Sequence, residues 1–138
     1  MEQIRAHKAD LAPLVYNRCH FIVEENQRVL DIADALEAGE HAEAGRLATE
    51  SFQGARDLFE IVSPEMIAMY DAIMSAPGGY GARGAGAGFG GCLVAFVPSQ
   101  SIDSFAEYVR ERYAASTGIQ PEIYPVQAAQ GAGILSFE

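Results

Sequence analysis

An α+β fold is predicted: a mostly antiparallel sheet of about four strands covered by helices, with a helical hairpin at the amino terminus. Three observations predict it. Apolar residues recur at helical spacing through the first half, where 14 of the 19 acidic residues lie before residue 72. Eight of the 14 glycines then fall between Gly78 and Gly91. Beyond them come short apolar runs of strand character, CLVAFV at 92–97 being the clearest.

The first helix is read from Leu11, Val15, Cys19, Ile22, Val29, Ala33 and Leu36, with Asp10 as its N-cap and Gly39 as its stop. A second runs from about His41 to Phe59, with Ala44, Leu47, Ala48, Ser51, Ala55, Leu58 and Phe59 inward. The short connection at Gly39 predicts that the two pack antiparallel. Ser63-Pro64-Glu65 opens a third helix, with serine as cap, proline at the first turn and an acid at the positive end. It carries Met66, Ile67, Tyr70, Ile73 and Met74 inward, with Met69 as the exposed exception, and ends at Pro77-Gly78-Gly79. Tyr80–Arg83 reads as a short strand and 92–97 as a buried one. Ser101 is the expected cap of a helix that turns Ile102, Phe105, Val109 and Tyr113 inward and stops near Gly118. Pro121 and Pro125 cannot donate to a ladder, so 121–127 is expected to be an edge strand. Ile134–Phe137 reads as a last extended piece.

A chain of 138 residues makes one domain, 1–138, and its 49% hydrophobic and 20% charged composition is that of a soluble globular protein. The net charge is −10 and the only lysine is Lys8, which excludes a generic nucleic-acid or anionic-membrane binder. No apolar run reaches the length of a membrane span, and the polar amino terminus does not read as a signal peptide. Cys19 and Cys92 cannot build a disulfide framework and fit a reducing cytoplasm.

The glycine-rich segment reads GGYGARGAGAGFGGC from Gly78 to Cys92. Gly86, Gly88 and Gly91 satisfy G-x-G-x-x-G, but a dinucleotide fingerprint needs a helix to begin there, and a strand follows. A phosphate-binding P-loop needs a lysine after its last glycine, and the chain has none there. Two readings remain. The segment is a tight connection or bulge packed under a helix, or it is a backbone surface whose N–H groups approach a ligand. Phe89 favours a packed loop pressing on a neighbouring element. Arg83, the one cation inside it, serves an anion or pairs with a local carboxylate.

Other chemistry-bearing residues read as structural. His20 is a helix histidine, His7 and His41 are surface residues, and no spacing supports a metal cage. Cys92, opening an apolar strand, is expected to be a buried thiol, and Glu24 and Glu25 to belong to a solvated face. Ser51 and Ser63 have no histidine and acid partners nearby in sequence, and Ser63 is explained as a cap.

Taken together, these stretches resemble the GHMP small-molecule kinases, specifically the carboxy-terminal domain of galactokinases. GYGARGAGAGFGGCLVAFV is similar to the family's third motif, G-[AS]-R-M-T-G-[AG]-G-F-G-G-C. Arg18-Cys19-His20 followed by EENQRV at 24–29 resembles its R…H…E…R-V helix. Ala35–Glu40 with Gly45-Arg46-Leu47 resembles A-L-x-x-G-D…G-x-L-M, and Arg56–Glu60 with Ser63–Met66 resembles R-D-x-Y-E-V-S-x-P-E-L-D. Residues 127–132 resemble the closing A-x-x-G-A.

The resemblance implies a ferredoxin-like domain that supplies one wall of the cleft of a kinase transferring phosphate from Mg-ATP to the anomeric hydroxyl of galactose. It assigns Arg83, Gly84, Ala85, Gly86, Ala87, Gly88, Phe89, Gly90 and Gly91 to that wall and no catalytic residue to this chain. ATP and Mg2+ are expected to be bound mainly by an amino-terminal half not contained in these residues. That half and the small-molecule sugar are the expected partners, and the exposed cleft face allows a dimer of the chain alone. Gly84-Ala85 stands where the motif has Met-Thr, Phe52 where a histidine is usual, Val62 where a serine is usual and Ile67 where an aspartate is usual. These departures leave open a related sugar or another small molecule as the substrate. They also leave open a non-catalytic sugar or nucleotide sensor on the same fold, and a free-standing interaction module.

Overall fold

Pro13, rather than Asp10, starts the first long helix. In the computed structural model, which describes residues 2–86, 88–131 and 133, Glu2–Ala6 forms a short helix α1 and Lys8–Asp10 a single 3-10 turn. Asp10 ends that turn with its carboxylate 3.1 Å from His7 Nδ1. Proline with its fixed φ then opens α2, Pro13–Glu37, behind an uncapped Ala12. Gly39, at φ 73, turns the chain, and the Glu40 N–H returns to the Ala35 carbonyl at 2.8 Å. Helix α3, His41–Gly54, packs back along α2 and continues into a π-turn, Ala55–Phe59. The predicted hairpin is present.

Ala35, Ala44 and Leu47 form a small core between α2 and α3, and Phe21 is buried as well. The periodic apolar face of α2 does not supply this core. Val15, Ile22, Val29 and Leu36 lie exposed, because the inward side of α2 is formed by Phe21, Ile32 and Ala35 together with Glu25 and Arg28, which pair with Ser51 and Glu50 of α3.

The third helix, α4, spans Pro64–Ser75. Its Ser63 cap forms as expected, the hydroxyl accepting from the Met66 N–H at 3.3 Å. Met66, Tyr70 and Ile73 are buried, while Met74, not Met69, is the exposed methionine. A 3-10 turn, Ser99–Ser101, leads into α5, Ile102–Thr117, which buries Phe105, Val109 and Tyr113 and stops at Gly118 with φ 74. The Ser101 side chain makes no capping bond, because the 3-10 turn already leads the chain into the helix.

Strands β1, Gly81–Ala85, and β2, Cys92–Phe96, pair antiparallel, Gly81 opposite Phe96 and Ala85 opposite Cys92. Among the described residues the sheet has these two strands, so the four-strand expectation is met only in part. Segment 121–127 forms no ladder; its two prolines lack N–H donors, although Ile123 packs against the main core. Ile134–Phe137 lies outside the described residues. The main core joins Phe52, Tyr70, Ile73, Ala82, Phe105, Val109 and Tyr113. Phe52, which the helical periodicity did not single out, is 1% exposed, and its ring stacks on Tyr70 at 4.0 Å between centroids.

Candidate functional site

Strand alternation decides what β1 can touch. Gly81 and Arg83 face the α2–α3 hairpin, and Gly84 faces Met66 of α4. A Cβ on Gly81 would lie 1.9 Å from the Gly45 carbonyl oxygen, and one on Gly45 would lie 2.4 Å from the Tyr80 backbone. The two main chains therefore touch, and only glycine on both sides allows it. The Tyr80 N–H donates to the Phe96 carbonyl at 2.8 Å, which extends the pairing just beyond β1.

Past Ala85 the connection changes character. Gly86, Gly88, Gly90 and Gly91 have φ values of 96, 86, 145 and 105, and Phe89 joins them at φ 55. Nothing lies within 4 Å of where a Cβ would sit on Gly86 or Gly90, so those positions are open. Among the described residues the connection is anchored by the Phe89 N–H donating to the Ile61 carbonyl at 2.7 Å. Glu60, itself left-handed at φ 61, turns the chain after the π-turn and delivers that carbonyl.

The residues that the resemblance assigns to a cleft wall fall on two elements. Arg83, Gly84 and Ala85 are strand residues of β1; Gly86, Gly88, Phe89, Gly90 and Gly91 form the connection; Ala87 lies outside the described residues. The expectation that Phe89 presses on a neighbour is corrected. Its ring is 73% exposed, and the loop is held through its backbone instead. Cys92 is also exposed rather than buried, because it is the first residue of a strand whose outer side is only partly covered.

Arg83 has a carboxylate partner. Its Nη2 lies 3.5 Å from Glu25 Oε1, and its Nε–H donates to the Gly84 carbonyl at 3.3 Å. Glu25, expected on a solvated face, is mostly buried and accepts from Ser51 and Arg28 as well. His20 stacks on Tyr16 and lies 3.4 Å from Glu24, which fits its structural reading.

A recess of about 680 Å³ opens beside the connection, between α4, α5, β2 and residues 119–126. Its walls are mainly apolar, with Met66, Met69, Leu93 and Phe105 among them. Glu65 on its rim is held below the ordinary carboxylate range by its own backbone N–H and then by the Ser63 hydroxyl. Composition and motif spacing gave no sign of this recess. Among the described residues, no three histidine, cysteine or acidic side chains converge as a metal ion requires. None of the described helices is long and apolar enough to cross a membrane.

The described residues thus form an α+β unit whose glycine-rich connection lies beside a helical hairpin. The family model for the carboxy-terminal domain of GHMP kinases matches residues 32–115, more than half of the chain, and the chain belongs to that family. Among solved structures it is similar to Lactococcus lactis galactokinase complexed with galactose, with a TM-score of 0.80 and 28% identity. That match covers 86% of this chain and 31% of the other, so the chain spans about a third of the length of that galactokinase.

Proposed function

We propose that this chain is the carboxy-terminal half of an ATP-dependent, galactokinase-like sugar kinase, with galactose or a related sugar as substrate. Residues Arg83 to Gly91 are its contribution to the cleft. The observation that carries this reading is the run of left-handed backbone at Gly86, Gly88, Gly90 and Gly91, open at Gly86 and Gly90, in a chain of the GHMP kinase family. Such a run turns N–H groups outward without side chains in the way, which suits close approach to a phosphate or a sugar hydroxyl.

In the transfer, the sugar oxygen bonds to the γ-phosphorus, the bond from that phosphorus to the ADP oxygen breaks, and the hydroxyl proton leaves to a base. The resemblance assigns no catalytic residue to this chain, so its part is positioning and backbone hydrogen bonding. ATP binding, Mg2+ coordination and proton removal fall to an amino-terminal portion, which is also the partner of this surface. The exposed thiols of Cys19 and Cys92 suit a reducing cytoplasm.

The test compares the 138-residue chain with the longer polypeptide that contains it, each supplied with Mg-ATP and a panel of hexoses. ADP release is expected from the longer polypeptide and not from the chain alone. Turnover by the chain alone would overturn the division of labour. A longer polypeptide that binds a hexose and phosphorylates none of them would overturn the kinase reading in favour of a sensor.

A further inference from the structure

One carboxylate gathers three elements of the fold. Glu25 of α2, its side chain 17% exposed, accepts from the hydroxyl of Ser51 on α3, which is 4% exposed. It also pairs with the Arg28 guanidinium one turn along α2, and with Arg83 Nη2 at 3.5 Å on β1. Arg28 is 11% exposed and is itself ringed by carboxylates, with Glu24 at 3.9 Å and Glu50 at 3.8 Å. Glu24 meets His20 at 3.4 Å, and Glu50 meets Arg46. The carboxylate beside Arg83 is Glu25, and a phosphate brought to this guanidinium would meet it at close quarters.

We propose that Glu25 is a positioning residue that claims Arg83 for the scaffold: it fixes the direction in which β1 delivers the glycine connection, and Arg83 is not an anion ligand. The geometry supports this at both ends of the side chain. The Arg83 Nε–H also donates to the Gly84 carbonyl at 3.3 Å, a second tie to its own strand. The next residues, Gly84 to Gly91, carry no side chain able to make such a tie. Without the Glu25 contact, the described residues hold the connection through the packing of β1 on α3, the β1–β2 ladder and the Phe89–Ile61 bond. Its value to turnover rests on the kinase reading; the tie itself does not.

The test uses the 138-residue chain without nucleotide or sugar. Amide hydrogen exchange is followed in wild type, Glu25→Gln, Arg83→Met and the double variant. Glu25→Gln is expected to speed exchange at Ala82–Ala85 and Gly88–Leu93 about tenfold, leaving Phe105–Tyr113 of α5 unchanged. Arg83→Met should reproduce the effect, and the double variant should add nothing further. In parallel, the Arg83 Nε–H resonance is titrated with inorganic phosphate. It should stay fixed in wild type and move in Glu25→Gln, where the guanidinium has been released; a merely structural carboxylate would not produce that contrast. Exchange that is unchanged, or that rises equally throughout the chain, would overturn the proposal. So would a wild-type Arg83 resonance that saturates with phosphate at low millimolar concentration. If Glu25→Gln does not fold, Arg83→Met and the wild-type phosphate titration decide alone. Because ATP and sugar are absent, failure here leaves the kinase reading standing, and failure of the kinase assay leaves this tie standing.

Discussion

The glycine-rich segment contains two regions that use the same residue for opposite purposes. From Gly79 to Gly84 glycine removes bulk: Gly81 lies against the Gly45 carbonyl, and Gly79 leaves room for the Phe105 ring, where a Cβ would come within 2.8 Å. From Gly86 to Gly91 glycine supplies backbone angles, and at Gly86 and Gly90 there is space that no side chain fills. The first region belongs to the packing of the domain. The second is packed at Gly88 and Gly91 but not at Gly86 and Gly90, so its left-handed backbone there, which costs a non-glycine residue about 1–2 kcal/mol per position, points to a use outside the chain. A count of glycines cannot separate the two; the neighbours of each Cβ position do.

Substitutions by alanine make the contrast measurable. Gly45→Ala and Gly81→Ala drive a methyl group into backbone that cannot move aside, and each is expected to cost at least about 3 kcal/mol or to abolish folding. Denaturant melts of the two variants check this, and near-wild-type midpoints would remove the close contact between α3 and β1. Gly88→Ala should fall in between, at about 2 kcal/mol. Its Cβ meets the Ile61 carbonyl oxygen at 2.9 Å and φ is 86, so the Phe89 N–H should also lose protection from exchange. Gly86→Ala meets no atom and should cost only the backbone term, about 1 kcal/mol, with Gly86→Asn cheaper because asparagine tolerates this region. Equal costs at Gly45 and Gly86 would erase the distinction between the regions.

The smallest expected effect concerns pH. Glu65 beside the recess has its pKa lowered from 4.5 by its own backbone N–H and by Ser63. A lowered folded-state value means its contribution is present above the unfolded pKa and fades as pH falls through the folded one. Glu65→Gln should therefore have a slightly shallower loss of stability below about pH 4.5 than wild type, with the midpoint at neutral pH little changed.

Much of the helical frame was legible because local chemistry dictated it. Ser63 and Pro64 start α4, and Gly39 and Gly118 end helices, each by a mechanism confined to neighbouring residues. The sheet was legible only in part, since strand pairing depends on partners far apart in the sequence. The outer stripe of α2 was read as core because its spacing is that of a buried face, yet Val15, Ile22 and Val29 are exposed and charged residues occupy much of the inner side. Phe52 was missed among the inward residues of α3 although it is nearly fully buried. Glu25 read as a solvated acid because its partners Ser51 and Arg83 are reached only through the hairpin and the first strand. The candidate loop itself stood out by composition, and the resemblance gave it a role. That its backbone, and not Phe89, anchors it required the structure.

The central claim is that the open region serves catalysis while the packed region serves folding. The most direct measurement is made on the longer polypeptide: kcat for hexose phosphorylation together with Tm, for wild type and Gly90→Ala. Gly90 has φ 145 and no atom within 4 Å of its Cβ position. The account predicts a kcat lowered at least about tenfold at a temperature well below the transition, as displacement of positioning groups produces, with Tm lowered only by the backbone strain, about 2–8 °C. An unchanged kcat, or a loss of activity that merely follows a fall in Tm, would contradict it.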